Sequence, residues 1–269
     1  MTLRPAPAKP TSPESRWFWE HYDAAAGEIV AFCDACGLSL KGAAIADVGC
    51  GDGIMALGLA ARTHPQRLVG FDVVPTNIDT LSTRARAEGV VDGALPAELE
   101  FRQSAGASSP ARDGEFDFVY SWSAFEHIAD PIGVLREIRR MLRPTGHFFL
   151  QLWPFFLSAK GSHLWDWFPE DFHHLLVSDD DIAAALAASD RHSADWTSYM
   201  AREYEKLNRI TLQELQRAVL ASGFEVRRLE LLSSPMILSP KLARYSWADL
   251  GVGGVKLLAT PTSQPFSSD

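Results

Sequence analysis

The sequence predicts an α/β fold built on a doubly wound, seven-stranded, mostly parallel sheet, and three observations predict it. Short apolar runs alternate with helical-period segments from about residue 43 to 152. The first of these runs, Ala43-Ala-Ile-Ala-Asp-Val-Gly-Cys-Gly-Asp-Gly53, passes straight from a strand into a glycine turn that opens a helix. Two more strand-like runs, 224–232 and 252–259, follow a helix near the end and bring the count to seven.

In chain order, Ser12-Pro13 sets a capping serine before a proline at the first helical position. The segment to about Cys36 then carries an apolar face through Trp17, Tyr22, Ile29 and Phe32, read as a helix covering the cleft. Strand one is 43–48, a helix spans 53–63, strand two is 68–72, and Asn77 to Glu88 forms a helix stopped by Gly89. Leu99 to Gln103 and Phe116 to Ser121 are strands three and four. Asp130-Pro131 caps a helix whose Ile132, Leu135, Ile138 and Met141 recur at helical spacing. His147 to Leu152 is continuously apolar, as expected of a strand buried on both faces. Residues 153–210 lack a strand pattern yet hold four of the eight tryptophans and four of the eight histidines, so they are read as an inserted helical cap. Within it Ser178 caps a helix to Ala188, and Trp196 to Leu207 forms another. Thr211-Leu-Gln-Glu214 is a capping box for a helix ending at Gly223. The expected organisation is a disordered lead-in over 1–11, one domain over 12–260 that includes the cap, and a flexible tail over 261–269.

The glycine turn carries the chemistry. Gly49 and Gly51 have no Cβ to hold a ligand off the backbone, and the helix beginning near Gly53 aims unpaired amides above the turn. The spacing is G-x-G-x-G, unlike the G-x-G-x-x-G of dinucleotide binders, and Asp47 precedes it. The second strand ends on Asp72, a little over twenty residues after the turn, where an acid grips a ribose diol. With Glu115-Phe-Asp-Phe-Val119, Phe125-Glu-His127 and Leu142-Arg-Pro-Thr-Gly146 following in order, the chain resembles the class I S-adenosylmethionine-dependent methyltransferases. The likeness is good over about 43–152 and loose over 211–260.

That resemblance implies the Rossmann-like methyltransferase fold, with one of the last two strands antiparallel at the sheet edge, and S-adenosyl-L-methionine as cofactor. It would run Gly49, Cys50 and Gly51 beneath the methionine portion and ribose, use Asp47 to orient the turn or the amino group, and give both ribose hydroxyls to Asp72. Val73, Ala105, Gly106 and Ser121 complete the cofactor set. Many relatives have an acid after strand three for the adenine amino group. Ala105 stands there in this chain, which leaves adenine to Ser104 or to backbone groups. Pro144-Thr145-Gly146 replaces Pro-Gly-Gly and affects only a turn.

Net charge −9 and pI near 5.4 disfavour a grip on nucleic acid, which needs clustered Lys and Arg, and favour a small acceptor. Three cysteines form no disulfide framework, so a reducing, cytoplasmic setting is expected, and Cys33-x-x-Cys36 is read as helix packing. The proline-rich start lacks the apolar core of a signal peptide. The longest apolar run, Phe148 to Leu157, is far short of the roughly 18 residues that span a bilayer.

Methyl transfer to a hydroxyl benefits from a positioned base. The candidates are His127, His163 with Asp166 three residues on as its orienter, and His174 in His173-His174. Relatives that bind a divalent ion place E-x-x-E-H at strand four. This chain has Ser123 where the first Glu would stand, so no metal ligands are expected. The cap aromatics Trp153, Phe155, Phe156, Trp165, Trp167, Phe168 and Phe172 divide between a substrate wall and the cap's own core. The expected activity is O-methylation of a sugar or other small natural product. N- or C-methylation and a non-catalytic cofactor-binding scaffold are the alternatives. A nicotinamide oxidoreductase is disfavoured by the turn spacing and by the lack of a Tyr-x-x-x-Lys pair.

Overall fold

The computed structural model describes residue 10, residues 12–233 and residues 235–262. Seven strands form one sheet in the order β3-β2-β1-β4-β5-β7-β6. These are β1 (Ala44–Val48), β2 (Arg67–Asp72), β3 (Leu99–Gln103), β4 (Phe116–Trp122), β5 (Leu142–Leu152), β6 (Phe224–Ser233) and β7 (Val252–Pro261). Neighbours from β3 to β5 pair in parallel, and β7 runs antiparallel to both β5 and β6. The order reverses at β1, whose two neighbours β2 and β4 lead outward in opposite directions. Open α/β sheets bind ligands in that crevice, at the carboxyl ends of the strands.

The sheet is doubly covered because its central strands are apolar on both faces. On one face α5 (Pro131–Met141) and α9 (Leu212–Ala221) pack Val134, Leu135, Ile138, Leu215 and Val219 against Val119, Phe148 and Val255. On the other, α2 (Ala26–Asp34) and α3 (Ile54–Thr63) bury Ile29, Phe32, Ala56 and Leu59 against Ile45, Leu68 and Phe149. Asp130 caps α5 through the Gly133 amide, and the Thr211–Glu214 capping box opens α9. Asn77 caps α4 (Ile78–Ala87), and Gly89 follows it with φ 69°. Ile132 is 41% exposed; Val134 takes the buried position expected of it.

The N-terminal segment is helical throughout but not uniformly so. α1 (Pro13–Trp19) passes through a π-helical stretch, Glu20–Ala25, into α2. The wider turn shifts the buried stripe, so Phe18, Trp19 and Tyr22 are buried and Trp17, expected on the apolar face, is half exposed. β5 starts five residues before the expected strand because Leu142–Gly146 continues as extended chain, with a register shift against β4 between Phe116 and Phe118. The tail is ordered through Thr262, whose N–H bonds the Gly223 carbonyl. The rest of the expected tail, and the lead-in apart from Pro10, lie outside the described residues.

Between β5 and α9 run α6 (His173–Leu176), α7 (Asp179–Ala187) and α8 (Ala194–Lys206). Phe156, Leu164, Trp167, Phe172, Ile182, Leu186 and Tyr204 form a small core of their own there. It is completed by Leu242 and by Leu250 of α10 (Trp247–Gly251), from the β6–β7 connection. That contribution carried no periodic signal in the sequence. Cys33 is fully buried with its thiol pushed up to about 12 by desolvation, as a packing residue should be. Among the described residues no helix is long and apolar enough to cross a membrane.

The N-terminal segment lies so close on α3 that a Cβ at Gly58 would run into the Tyr22 carbonyl. Arg62, one turn on, clamps the same carbonyl at 2.8 Å and also holds the Asp23 carboxylate. Gly58→Ala is therefore expected to destabilise the protein by about 1–3 kcal/mol through overpacking, despite the better helix propensity of alanine. Denaturant unfolding of the two proteins checks this; equal midpoints would mean the segment is not docked as described.

Candidate active site

The turn after β1 is shaped by backbone hydrogen bonds to β2. The amides of Gly49 and Cys50 both donate to the Phe71 carbonyl, at 2.8 and 3.2 Å, and the Gly51 amide donates to Asp72 Oδ2 at 2.9 Å. Asp72 Oδ1 accepts from the Val74 amide at 2.9 Å. A carboxylate offers about four lone-pair sites, so Asp72 braces the turn and keeps capacity for a diol. Gly49, Gly51 and Gly53 all have positive φ, 82°, 52° and 78°. The first two differ in what surrounds them. A Cβ on Gly49 would come 2.5 Å from Ala124 Cβ, whereas one on Gly51 meets nothing within 4 Å. Gly49 serves packing, and Gly51 faces open space over the turn.

Asp47 lies under this turn, 2% exposed, with Tyr120 Oη donating to its Oδ2 at 2.7 Å. Burial raises its pKa to about 7, an effect only partly offset by the tyrosine, with Asp72 and Asp52 adding like charge. Cys50 is buried; its Sγ lies 3.4 Å from Thr76 Oγ1, which itself donates to the Gly51 carbonyl at 3.0 Å. Thr76 is a structural support the sequence did not single out, and Trp17, expected on the apolar face, is a second. Trp17 Nε1 donates to Asp52 at 3.0 Å and ties the N-terminal segment to the turn.

Val73 and Val74 are exposed after β2, an apolar surface beside the turn. Ala105 and Gly106 lie beyond β3 in a tight loop in which the Ala105 amide bonds the Ser108 carbonyl at 2.8 Å. The Ser104 amide donates to the Asp72 carbonyl at 2.8 Å, which fixes this loop beside β2. Ser121 differs from expectation. It is fully buried and its hydroxyl donates to the Val48 carbonyl at 2.7 Å, so it ties β4 to β1 and its hydroxyl is not offered to a ligand.

The base candidates separate cleanly. His127, in the short turn Phe125–His127 after β4, and His163, from the cap, approach each other with ring centroids 5.3 Å apart. Desolvation lowers the pKa of both, that of His163 to about 3, so both rings are neutral at physiological pH. Asp166 does not orient His163: it is exposed, and among the described residues no ion pair joins them. Spacing of three serves a helix face, but this stretch is loop, and His163 itself has φ 60°. His174 is also withdrawn from the cleft. It is buried, its Nε2 bonds the Phe156 carbonyl at 2.6 Å, and its ring packs edge-on to Phe156, so it anchors the cap. His173 stacks on Phe168.

Of the cap aromatics, Phe156, Trp167 and Phe172 are buried in the cap's core, and Phe155 is buried in that of the sheet. Besides Trp196 and Tyr199 of α8, the exposed ones are Trp153 and Trp165. They lie 5.8 Å apart, and Trp165 stacks on His163 at the same distance.

The sequence pattern of a methyltransferase domain matches residues 18–229, most of the chain. The chain belongs to the methyltransferase-domain family. Among its relatives, the ubiquinone biosynthesis O-methyltransferase of Methylobacterium sp. is 29% identical over 166 residues, 59% of this chain and 63% of that protein. The enzyme of the same name from Marinobacter nauticus is 31% identical over 116 residues, 42% of this chain and 45% of that protein. The matched stretches thus span less than two thirds of these relatives. In fold, the chain is similar to a geranyl diphosphate C-methyltransferase from Streptomyces coelicolor. The TM-score is 0.56 at 15% identity, covering 97% of this chain and 89% of that one. It is also similar to a methyltransferase from Methanosarcina mazei, with TM-score 0.53 at 18% identity, covering 86% and 97%. The family's cofactor is S-adenosylmethionine, and the turn fits it: open space stands over Gly51, and an acid closes β2.

Two expectations follow for the methyltransferase turn. Gly51→Val should remove cofactor binding while keeping cooperative unfolding, at a backbone cost of about 1–2 kcal/mol, whereas Gly49→Val should damage the fold itself. Titration calorimetry and thermal melts distinguish them; unchanged affinity in Gly51→Val would remove the turn from the site. Asp47 adds a pH signature. Its folded pKa is raised, so its contribution to stability is complete below about pH 4 and is lost as pH rises through about 7. A cationic cofactor above it favours the carboxylate, so binding near pH 6–7 should release a proton. Calorimetry in buffers of different ionisation heat reads this directly, and Asp47→Asn should abolish the release. Buffer-independent enthalpies in the wild type would show that Asp47 does not sense the ligand.

Proposed function

We propose that the protein transfers the methyl group of S-adenosylmethionine to a hydroxyl oxygen of a small acceptor bound beneath the cap. A sugar or another hydroxylated natural product is the expected class. The observation that carries this reading is the neutral His127–His163 pair at the end of β4, flanked by the exposed Trp153–Trp165 pair. The name of the relatives, O-methyltransferase, supports oxygen as the acceptor atom.

In-line transfer requires the protein to hold the sulfonium donor, align the acceptor oxygen and manage the hydroxyl proton. The turn at Gly49–Gly51 and Asp72 serves the first task. The two tryptophans offer flat apolar faces for the second. With Asp166 exposed and His174 bonded to the Phe156 carbonyl, His127 and His163 are the residues to handle the proton.

Screening hydroxylated metabolites for S-adenosylhomocysteine release tests the proposal. On an acceptor so found, His163→Gln should lower kcat by at least about 100-fold while cofactor affinity stays unchanged. Methylation only of amines or carbon acids, or full activity in both His163→Gln and His127→Gln, would overturn it. Cofactor binding with no turnover of any acceptor would favour the scaffold reading.

A further inference from the structure

Three side chains at the junction of β4 and the cap, one buried and two half-buried, hold buried polar atoms without a hydrogen-bond partner. Glu126 is 4% exposed, and neither of its carboxylate oxygens has a hydrogen-bond partner. The Nδ1 of His127 and the Nε2 of His163 are buried and unpartnered as well. Leaving such groups bare costs about 1–3 kcal/mol each, more for a charge. One ligand atom from each of the three residues lies within 4.8 Å of the others, yet no hydrogen bond joins them. The ligand atoms of all three residues converge on one place.

We propose that Glu126, His127 and His163 bind a late first-row divalent cation, with Zn2+ as the best match. Two imidazoles and one carboxylate are a donor set such ions favour, and magnesium and calcium, which take oxygen donors, do not. A tetrahedral ion with bonds of about 2.0–2.2 Å holds its ligands roughly 3.3 Å apart, so modest closure of the cluster seats it. The same ion removes all three orphaned groups at once.

The scaffold around the cluster is built to hold it. Asn208, at the cap's exit, donates its side-chain amide to the Phe125 and Ile128 carbonyls at 2.6 and 2.8 Å, and its N–H to the Glu126 carbonyl at 2.8 Å. One residue thus fixes the turn that carries two of the ligands. His163 is held in the left-handed region at φ 60°, a conformation a non-glycine residue adopts at a cost. Glu203 of α8 stands 3.6 Å from His127 Nδ1, a carboxylate placed to orient that ring or to join the ion. A neutral imidazole offers a metal ion its free lone pair, which agrees with the lowered pKa of both histidines.

Since two ligands come from the sheet and one from the cap, the ion would pin the cap over the acceptor cleft. This inference does not rest on O-methyl transfer. It does alter the histidines' part in it, because a ring bound to a cation is no longer a free base.

Metal binding by the whole untagged protein, without cofactor or acceptor, tests it. Chelator-treated protein should take up one Zn2+ per chain against a chromophoric competitor, and Co2+ should give visible ligand-field bands. Glu126→Gln and His163→Ala should each weaken Zn2+ binding by at least about 100-fold. The surface variant His64→Ala should bind as the wild type does, and circular dichroism should confirm that all three variants fold. Thermal stability should rise with Zn2+ in the wild type and not in His163→Ala. Absence of stoichiometric uptake, or equal uptake by Glu126→Gln and His163→Ala, would overturn the site and leave a buried water as the cluster's occupant.

Discussion

Consecutive amides after β1 have nowhere to go within their own strand, and the end of β2 meets them. Phe71 takes two through its carbonyl, and Asp72 takes the third through its carboxylate. These bonds hold three positive-φ glycines in a shape open to solvent above Gly51. They also explain why one acid closes β2: the group that would receive a ribose diol is the group that holds the turn. Below the turn, Asp47 and Tyr120 form a buried pair whose charge the protein alone stabilises poorly. A cationic ligand over the turn would favour the charged form of that pair.

The rest of the molecule is arranged around the same sheet ends. Trp17, ahead of the π-helical stretch, ties the N-terminal segment to the turn through Asp52. The cap reaches the neighbouring end of β4 through Asn208, whose three hydrogen bonds fasten the turn Phe125–His127. Donor and acceptor sides are therefore both anchored to strands, and the small core of Phe156, Trp167, Phe172 and Tyr204 keeps the cap a packed body.

Satisfied and unsatisfied polar groups sort the candidate residues better than residue type does. Ser121, His174 and Asp166 are chemically able, but the first two are spent on the Val48 and Phe156 carbonyls and the third faces solvent away from its expected partner. Glu126 is buried, His127 and His163 are half-buried, and each holds a buried polar atom without a hydrogen-bond partner among the described residues. Trp167, Thr197 and Ser222 also hold buried polar atoms without a hydrogen-bond partner, but those of Glu126, His127 and His163 converge on one place.

Strand and helix alternation, caps at Asn77, Asp130, Ser178 and Thr211, and the glycine turn were legible in the sequence because each depends on neighbours within a few residues. Asp72 was legible for a similar reason, since a strand end and a fixed distance from the turn define it. What the three-dimensional structure decided is contact between residues far apart in the chain. Glu126 and His163 are separated by a β-strand and a helix, and no local period links them. The pairing of His163 with Asp166 is close in sequence and failed because loop geometry, with φ 60° at His163, replaced the helix face that such spacing needs. Leu242 and Leu250 joined the cap core from a connection without periodicity. The sequence by itself determined the sheet, its turn and the acid beside it, through local backbone chemistry. Only the tertiary structure decided which histidines come together, because burial and the supply of partners are properties of the packed chain.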